Sequence, residues 1–162
     1  MTENEQVKER SVKPSQIGIK VLIINPRDEV LLLKRNPEVY GDGKNYWDIP
    51  GGRVENEVDV ASIKSGGVVH RELIRELQEE IGWSPKDKSP ISFVAHQQVE
   101  TSDKKTVDRY TVSLRVNEDF NVKLSPEHTD YKWVPVSELK HSAHLGYALS
   151  ALVTGNKINP QQ

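Results

Sequence analysis

The 162-residue chain contains no cysteine. That excludes disulfides, thiolate zinc centres and a cysteine nucleophile, and it fits a cytoplasmic protein. Long apolar runs are missing too: the longest aliphatic stretches, Val21–Ile24 and Val30–Leu33, have four residues each. A membrane-spanning helix needs about 20, so no membrane span is expected. The opening stretch MTENEQVKERSVKPSQ lacks the apolar core of a secretory signal. Nor is there an excess of positive charge. Lys and Arg number 22 against 24 Asp and Glu, a net charge of −2, so no basic field is available to hold duplex nucleic acid by its phosphates.

What is present suits one ordinary mixed α/β domain. Apolar residues make up 35% of the chain, and a domain near this size buries roughly 70% of its unfolded surface. Residues 1–15 alternate in charge around Pro14 and read as a mobile tail, with a single domain over 16–158. Ile17, Ile19, Val21 and Ile23 alternate as a strand whose other face carries Leu22 and Ile24. Asn25-Pro26-Arg27-Asp28 is turn chemistry, and Val30–Arg35 returns as the hairpin partner. Asn36–Lys44 reads as a loop, and Tyr46–Ile49 as a short strand stopped by Pro50-Gly51-Gly52. Arg53–Gly67 shows no sustained periodicity, and internal loops beyond about 12–15 residues are commonly functional. The spacing predicts a helix over Val68–Ile81 with Gly82 as its stop. Strands follow at Ile91–Val99, Val107–Val116 and Tyr131–Val136, then a turn at Ser137–Lys140 and a helix near Ala143–Val153.

The predicted central helix carries an unusual surface. Leu73, Ile74, Leu77 and Ile81 form its apolar stripe, Glu72, Glu76, Glu79 and Glu80 gather beside it, and Arg71 and Arg75 lie on the other flank. Charge-rich helix faces are usually just solvated. Exposed helices, however, gain about 0.2–0.5 kcal/mol from opposite charges four apart, whereas Arg71/Arg75, Glu72/Glu76 and Glu76/Glu80 are like-signed. Acidic residues near a helix C-terminus also oppose its dipole. A bound cation would compensate, and oxygen ligands without thiolates suit Mg2+ or Mn2+.

The motif Arg75-Glu76-Leu77-Gln78-Glu79-Glu80-Ile81-Gly82-Trp83 resembles the second half of the Nudix box, and Pro50-Gly51-Gly52-Arg53-Val54-Glu55 resembles its opening loop. Val30–Arg35 is similar to the family's preceding strand, and Glu127–Leu139 to its closing segment, so the resemblance covers about residues 16–155. It implies an α/β/α sandwich around a mixed sheet. It also implies Mg2+-dependent hydrolysis, with Mn2+ as a substitute, of a nucleoside diphosphate linked to a further group X. On this resemblance Glu76, Glu79 and Glu80 would hold metal with the Gly51 carbonyl, and Arg75 would fix a carboxylate of the opening loop. Glu57 is the candidate for that carboxylate, with Asp59 and Glu55 as rivals. Between Glu57 and Arg75 the chain has 17 residues where the family pattern has seven. Val58–Gly67 is therefore expected to form an excursion at the mouth of the site.

Glu127 is a candidate metal ligand or general base, or else a solvated loop acid. Arg35 is a candidate for contacting phosphate or sugar, or else a surface arginine. Tyr46 and Trp47 would stack on a base or pack as strand aromatics. The five histidines show no ligand spacing and read as surface or satisfied core groups. The family's ADP-ribose and dinucleoside-polyphosphate subgroups carry a marker proline or tyrosine in a window that here reads Gln98-Val99-Glu100-Thr101. Elimination leaves a nucleoside triphosphate, ordinary or modified, as the expected substrate. A Nudix-fold protein that binds nucleotide without hydrolysis is the alternative, and a homodimer stays open.

Overall fold

Strand β1 (Gln16–Ile24) is apolar on both faces because both are covered. In the computed structural model, which describes residues 16–54, 60–69, 71–101, 104–155 and 158, it lies parallel to β7 (Thr106–Arg115), with Gln16 opposite Val107 and Ile24 opposite Arg115. β6 (Pro90–Glu100) runs antiparallel to β7. The hairpin return β2 (Glu29–Arg35) meets β1 at Ile24 opposite Val30, then pairs with β3 (Trp47–Asp48) and β8 (His128–Pro135). The other end of β1 pairs with β4 (Gly51–Arg53), Lys20 standing opposite Gly51. One edge of β1 therefore passes from β2 to β4, and the sheet opens between those two strands.

Two cores sandwich the sheet, as the resemblance implied. Ile19, Val21 and Ile23 meet Leu73, Leu77 and Ile81 of helix α3 (Arg71–Ile81) on one side. Leu22 and Ile24 meet Leu149 of α4 (Tyr147–Thr154), together with Val136 and Leu139 of a 3-10 turn over Val136–His141, on the other. No helix among the described residues is long and apolar enough to cross a membrane.

Several boundaries differ from the sequence reading, each for a local reason. Asn36–Lys44 is not all loop: Asn36 caps a one-turn helix α1 (Pro37–Tyr40) by accepting from the Glu38 N–H, and Gly41 closes it. Arg53–Gly67 holds a second short helix, α2 (Val60–Lys64), whose Ile63 is buried in the same core as Leu73 and Ile91. That part of the excursion is core structure rather than rim. α3 begins at Arg71 instead of Val68, because Gly67–Val68 is a strand, β5, paired with Ile91 and Pro90. The last helix starts at Tyr147, since the segment before it pairs with β3: Trp47 donates to the His144 carbonyl and Gly146 to that of Trp47. The expected tail and the loop acids Glu55, Glu57 and Asp59 lie outside the described residues.

Candidate active site

The opening glycines and the acidic helix meet at a close approach that, at Gly51, only glycine permits. Gly51 has φ +133°, and a Cβ there would lie 2.1 Å from the Ile19 carbonyl oxygen. Its N–H donates to Glu80 Oε1 at 3.0 Å, which pins the loop to α3. A Cβ on Gly52 would fall 2.7 Å from Glu76 Oε2, so the missing side chain is the space the Glu76 carboxylate occupies. Glu80 is only 6% exposed. Burial pushes its pKa up to about 7, more than Lys20 and the Gly51 N–H can offset. Burial also raises Glu76, against the pull of Arg75. A buried carboxylate beside a half-buried one, both raised by desolvation, is the electrostatic form of a cation site.

Among the described residues Arg75 pairs within its own helix, and the loop acids it is expected to fix lie outside them. Its guanidinium donates to Glu72 at 2.9 Å, to Glu76 at 3.2 Å and to both Glu79 oxygens at 3.0 Å. Arg75 and Glu79 are four apart with opposite sign, so the helix is not wholly like-charged at that spacing. In the described residues Arg75 organises carboxylates of its own helix, with Glu79 on the exposed side.

The facing wall is carried by the loop that caps α3. Lys123 N–H donates to the Ile81 carbonyl and Ser125 N–H to that of Glu80, satisfying the end of the helix. Trp83 stacks on Phe120 at 3.9 Å between ring centroids, and Phe120 meets Trp133 edge-on. Held this way, the chain delivers Glu127, which accepts a 2.7 Å bond from the Tyr40 hydroxyl. The charge of Glu127 disfavours ionisation of Glu76, Glu80 and Tyr40. Arg35 lies 3.7 Å from the Tyr40 ring centroid and is ion-paired to Asp42. It braces the Tyr40 ring. Trp47 packs against the second core and faces the Lys132 ammonium at 4.2 Å.

Beneath this wall, in the opening of the sheet, sits a charge network that the sequence reading missed. Arg109, 7% exposed, clamps Asp48 with bonds of 2.9 and 3.0 Å. Asp48 Oδ1 also takes the Ile49 N–H at 2.8 Å. Lys20 donates to the Ile49 carbonyl at 3.2 Å and stands 3.8 Å from Asp48. His128 corrects the expectation of satisfied histidines: its Nδ1 is buried with no hydrogen-bond partner among the described residues. Burial, helped by Lys20, lowers its pKa to about 4, so the ring is neutral near pH 7. A signal for Lys20 was available, since it is the single charged residue within Ile17–Ile24.

Of the residues singled out from sequence, the structure joins Gly51 to Glu80, sets Glu76 against Gly52, brings Glu127 near enough for its charge to act on both glutamates, and places Glu79 and Arg75 on the adjoining helix face. Arg35 and Trp47 lie on β2 and β3 beside them. Glu57 lies outside the described residues. No group of three His, Asp or Glu side chains is drawn together as a finished metal cage among the described residues. The donor set still fits a hard cation: buried carboxylates, no thiolate, and a glycine cradle that leaves the Glu76 oxygens room.

The NUDIX domain family model matches residues 14–152. Among solved structures, the chain is similar to a MutT protein from Methanosarcina mazei, with 27% identity, TM-score 0.65, and 90% of this chain and 98% of that one covered. It shares its fold with the NUDIX domain of Shewanella oneidensis NrtR complexed with ADP ribose, at 16% identity, TM-score 0.59 and 97% coverage of both chains. A C. elegans Ap4A hydrolase gives 21% identity and TM-score 0.54, over 86% of this chain and 94% of that one. No curated protein matches the sequence. The pinning of a PGG loop against an acidic helix and the match over most of its length lead to one conclusion: the chain belongs to the NUDIX domain family.

Proposed function

We propose that the protein is a Mg2+-dependent pyrophosphohydrolase that also works with Mn2+, and that it cleaves a nucleoside triphosphate, ordinary or modified, to nucleoside monophosphate and pyrophosphate. As a Nudix hydrolase it acts on phosphoric anhydride bonds of nucleoside diphosphate derivatives. The observation that carries the finer reading is the pair of desolvated carboxylates, Glu76 and Glu80, held against Gly51 and Gly52. The similarity to the M. mazei MutT protein and the absence of a marker proline or tyrosine at Gln98–Thr101 favour the triphosphate.

In this reading Glu76, Glu79 and Glu80, with the Gly51 carbonyl, hold the metal. When bound, it neutralises the diphosphate and acidifies a coordinated water. Glu127, on the facing wall, accepts the proton of the attacking water, and Tyr40 keeps its carboxylate aimed. The water oxygen bonds to phosphorus, the bridging phosphorus–oxygen bond breaks, and pyrophosphate leaves. Arg75 sets the spacing of the helix carboxylates, while Glu57 is the loop acid that completes the set. Arg35 and Trp47 border the nucleotide, with Arg35 acting mainly through Tyr40.

The test is a hydrolysis screen over nucleoside and deoxynucleoside triphosphates, nucleoside diphosphate sugars and dinucleoside polyphosphates, with Mg2+, with Mn2+ and with EDTA. Monophosphate and pyrophosphate should form from a triphosphate, and only with metal. Nucleotide binding without turnover would instead make the protein a binding module.

A further inference from the structure

Lys20 is an ammonium ion set beside an acid that a second cation already clamps. The strand around it, Ile17–Ile24, is otherwise uncharged, and a charge set into an apolar strand is costly to keep unless something uses it. The neighbouring acid is shared: Asp48 holds Arg109 with both oxygens and takes the Ile49 N–H, while Lys20 adds only its field. Lys20 stands off Asp48 at 3.8 Å, too far for a hydrogen bond, and spends one donor on the Ile49 carbonyl at 3.2 Å. An ammonium has three donors. Its side chain is 21% exposed, which leaves a path for a ligand in the opening between β2 and β4.

Its register places it at the reacting end of the site. Lys20 is directly opposite Gly51, whose N–H is bonded to Glu80. Among charged groups Lys20 is the strongest influence on Glu80, and it also acts on His128. A fixed cation beside the metal-binding carboxylates weakens metal binding by repulsion, and Lys20 and Arg109 share the single charge of Asp48, which leaves one positive charge open to an anion. Phosphate oxygens are that anion, and a lysine suits them as a point charge that tolerates small shifts of the anion.

We propose that Lys20 is a substrate-binding residue of this site, its ammonium contacting a phosphate oxygen of the bound nucleotide from the floor of the sheet opening. The proposal rests on the nucleotide-hydrolase reading and assigns it a contact on β1, away from the acidic helix.

The experiment compares wild type, Lys20→Met, which keeps the stem without the charge, and Lys20→Arg, which keeps the charge. Each is titrated calorimetrically with ADP and with inorganic pyrophosphate, and separately with Mn2+, while circular dichroism and thermal melting report the fold. Removing a charge-assisted hydrogen bond should weaken ADP and pyrophosphate binding about tenfold or more in Lys20→Met, with Lys20→Arg in between. Mn2+ should bind Lys20→Met at least as tightly as wild type, because a like charge beside Glu80 is gone. With a triphosphate substrate, KM should rise by a similar factor. Unchanged ADP and pyrophosphate affinity in Lys20→Met, with or without a lower melting temperature, would overturn the proposal and leave the hydrolase reading intact. Weaker Mn2+ binding would overturn it as well, because Lys20 would then be organising the carboxylates. If Lys20→Met does not fold, Lys20→Gln takes its place with the same criteria. Wild type that neither binds ADP nor pyrophosphate, nor turns over any nucleotide, would sink the nucleotide reading itself and this contact with it.

Discussion

Replacing Glu80 with glutamine is expected to make the metal-free protein more stable and the enzyme inactive. Burial lifts the Glu80 pKa from 4.5 to about 7. A group whose folded pKa lies above its unfolded value contributes full stability below the unfolded pKa and loses it as pH rises through the folded one. At 1.36 kcal/mol per pH unit, the interval amounts to about 3 kcal/mol of destabilisation above pH 7, a sizeable part of a typical total of about 5–15. Glutamine carries no charge to desolvate and keeps an Oε1 to accept the Gly51 N–H, now bonded at 3.0 Å. Urea unfolding in EDTA should therefore favour Glu80→Gln by up to about 3 kcal/mol at pH 8, with the advantage shrinking to nothing near pH 4.5. Mn2+ should reverse the order. It raises wild-type stability by mass action, about 4.1 kcal/mol at a thousandfold excess over Kd, and leaves the variant unmoved and without turnover. Glu80→Gln less stable than wild type in EDTA at pH 8, or a difference independent of pH, would refute the reasoning.

Asp48→Asn should cost about 3–5 kcal/mol in urea unfolding, because it leaves the buried Arg109 charge without its carboxylate. Burial pushes the Asp48 pKa up, but Arg109 and Lys20 outweigh it and hold it well below the carboxylate range. Wild type should accordingly lose stability as pH falls below about 4, an acid limb the variant lacks. Tyr40→Phe removes the 2.7 Å bond to Glu127 and keeps the ring on Arg35. It should lower kcat with little change in KM or melting temperature, and it should add nothing to Glu127→Gln. Trp83→Ala removes the stack on Phe120 and should cost at least about 1 kcal/mol. Faster hydrogen exchange at the Lys123 and Ser125 amides, with slower turnover, would show that the aromatic clamp steadies the segment carrying Glu127.

The parts legible from sequence were those set by local pattern. Alternation gave β1, the turn after it gave β2 as its return, the 3.6-residue stripe gave the body of α3, and clustered acids on that helix pointed to a cation. The elements missed are short and depend on partners distant in sequence. Gly67–Val68 becomes a strand because Pro90–Ile91 offers an edge. The segment before Tyr147 is extended because it pairs with Trp47. The site divides the same way. Glu76, Glu79 and Glu80 share a helix, so their spacing in sequence is their spacing in space. Tyr40, Lys20, Arg109 and His128 reach the site from a short helix and three separate strands, and the divergence of β2 from β1 leaves the opening they border. Arg75 and Glu79, four apart and opposite in sign, form a pairing within that helix that offsets its like-signed neighbours.

The zipping of Gly67–Val68 onto β6 has a consequence for how the chain can vary over time. It acts as a buckle: whatever length of chain leaves Val54, it is fastened to the sheet three residues before α3 begins. Changes of length upstream are absorbed before the buckle and do not shift the acidic helix against the glycine loop. Insertions between Glu57 and Val60 that keep the loop acid can therefore accumulate with little penalty to the acidic helix. A deletion reaching Ile63 or Gly67 would remove a core side chain or the buckle itself. The stretched interval between loop and helix is thus a place where this lineage could lengthen its chain without moving the carboxylates that the helix presents.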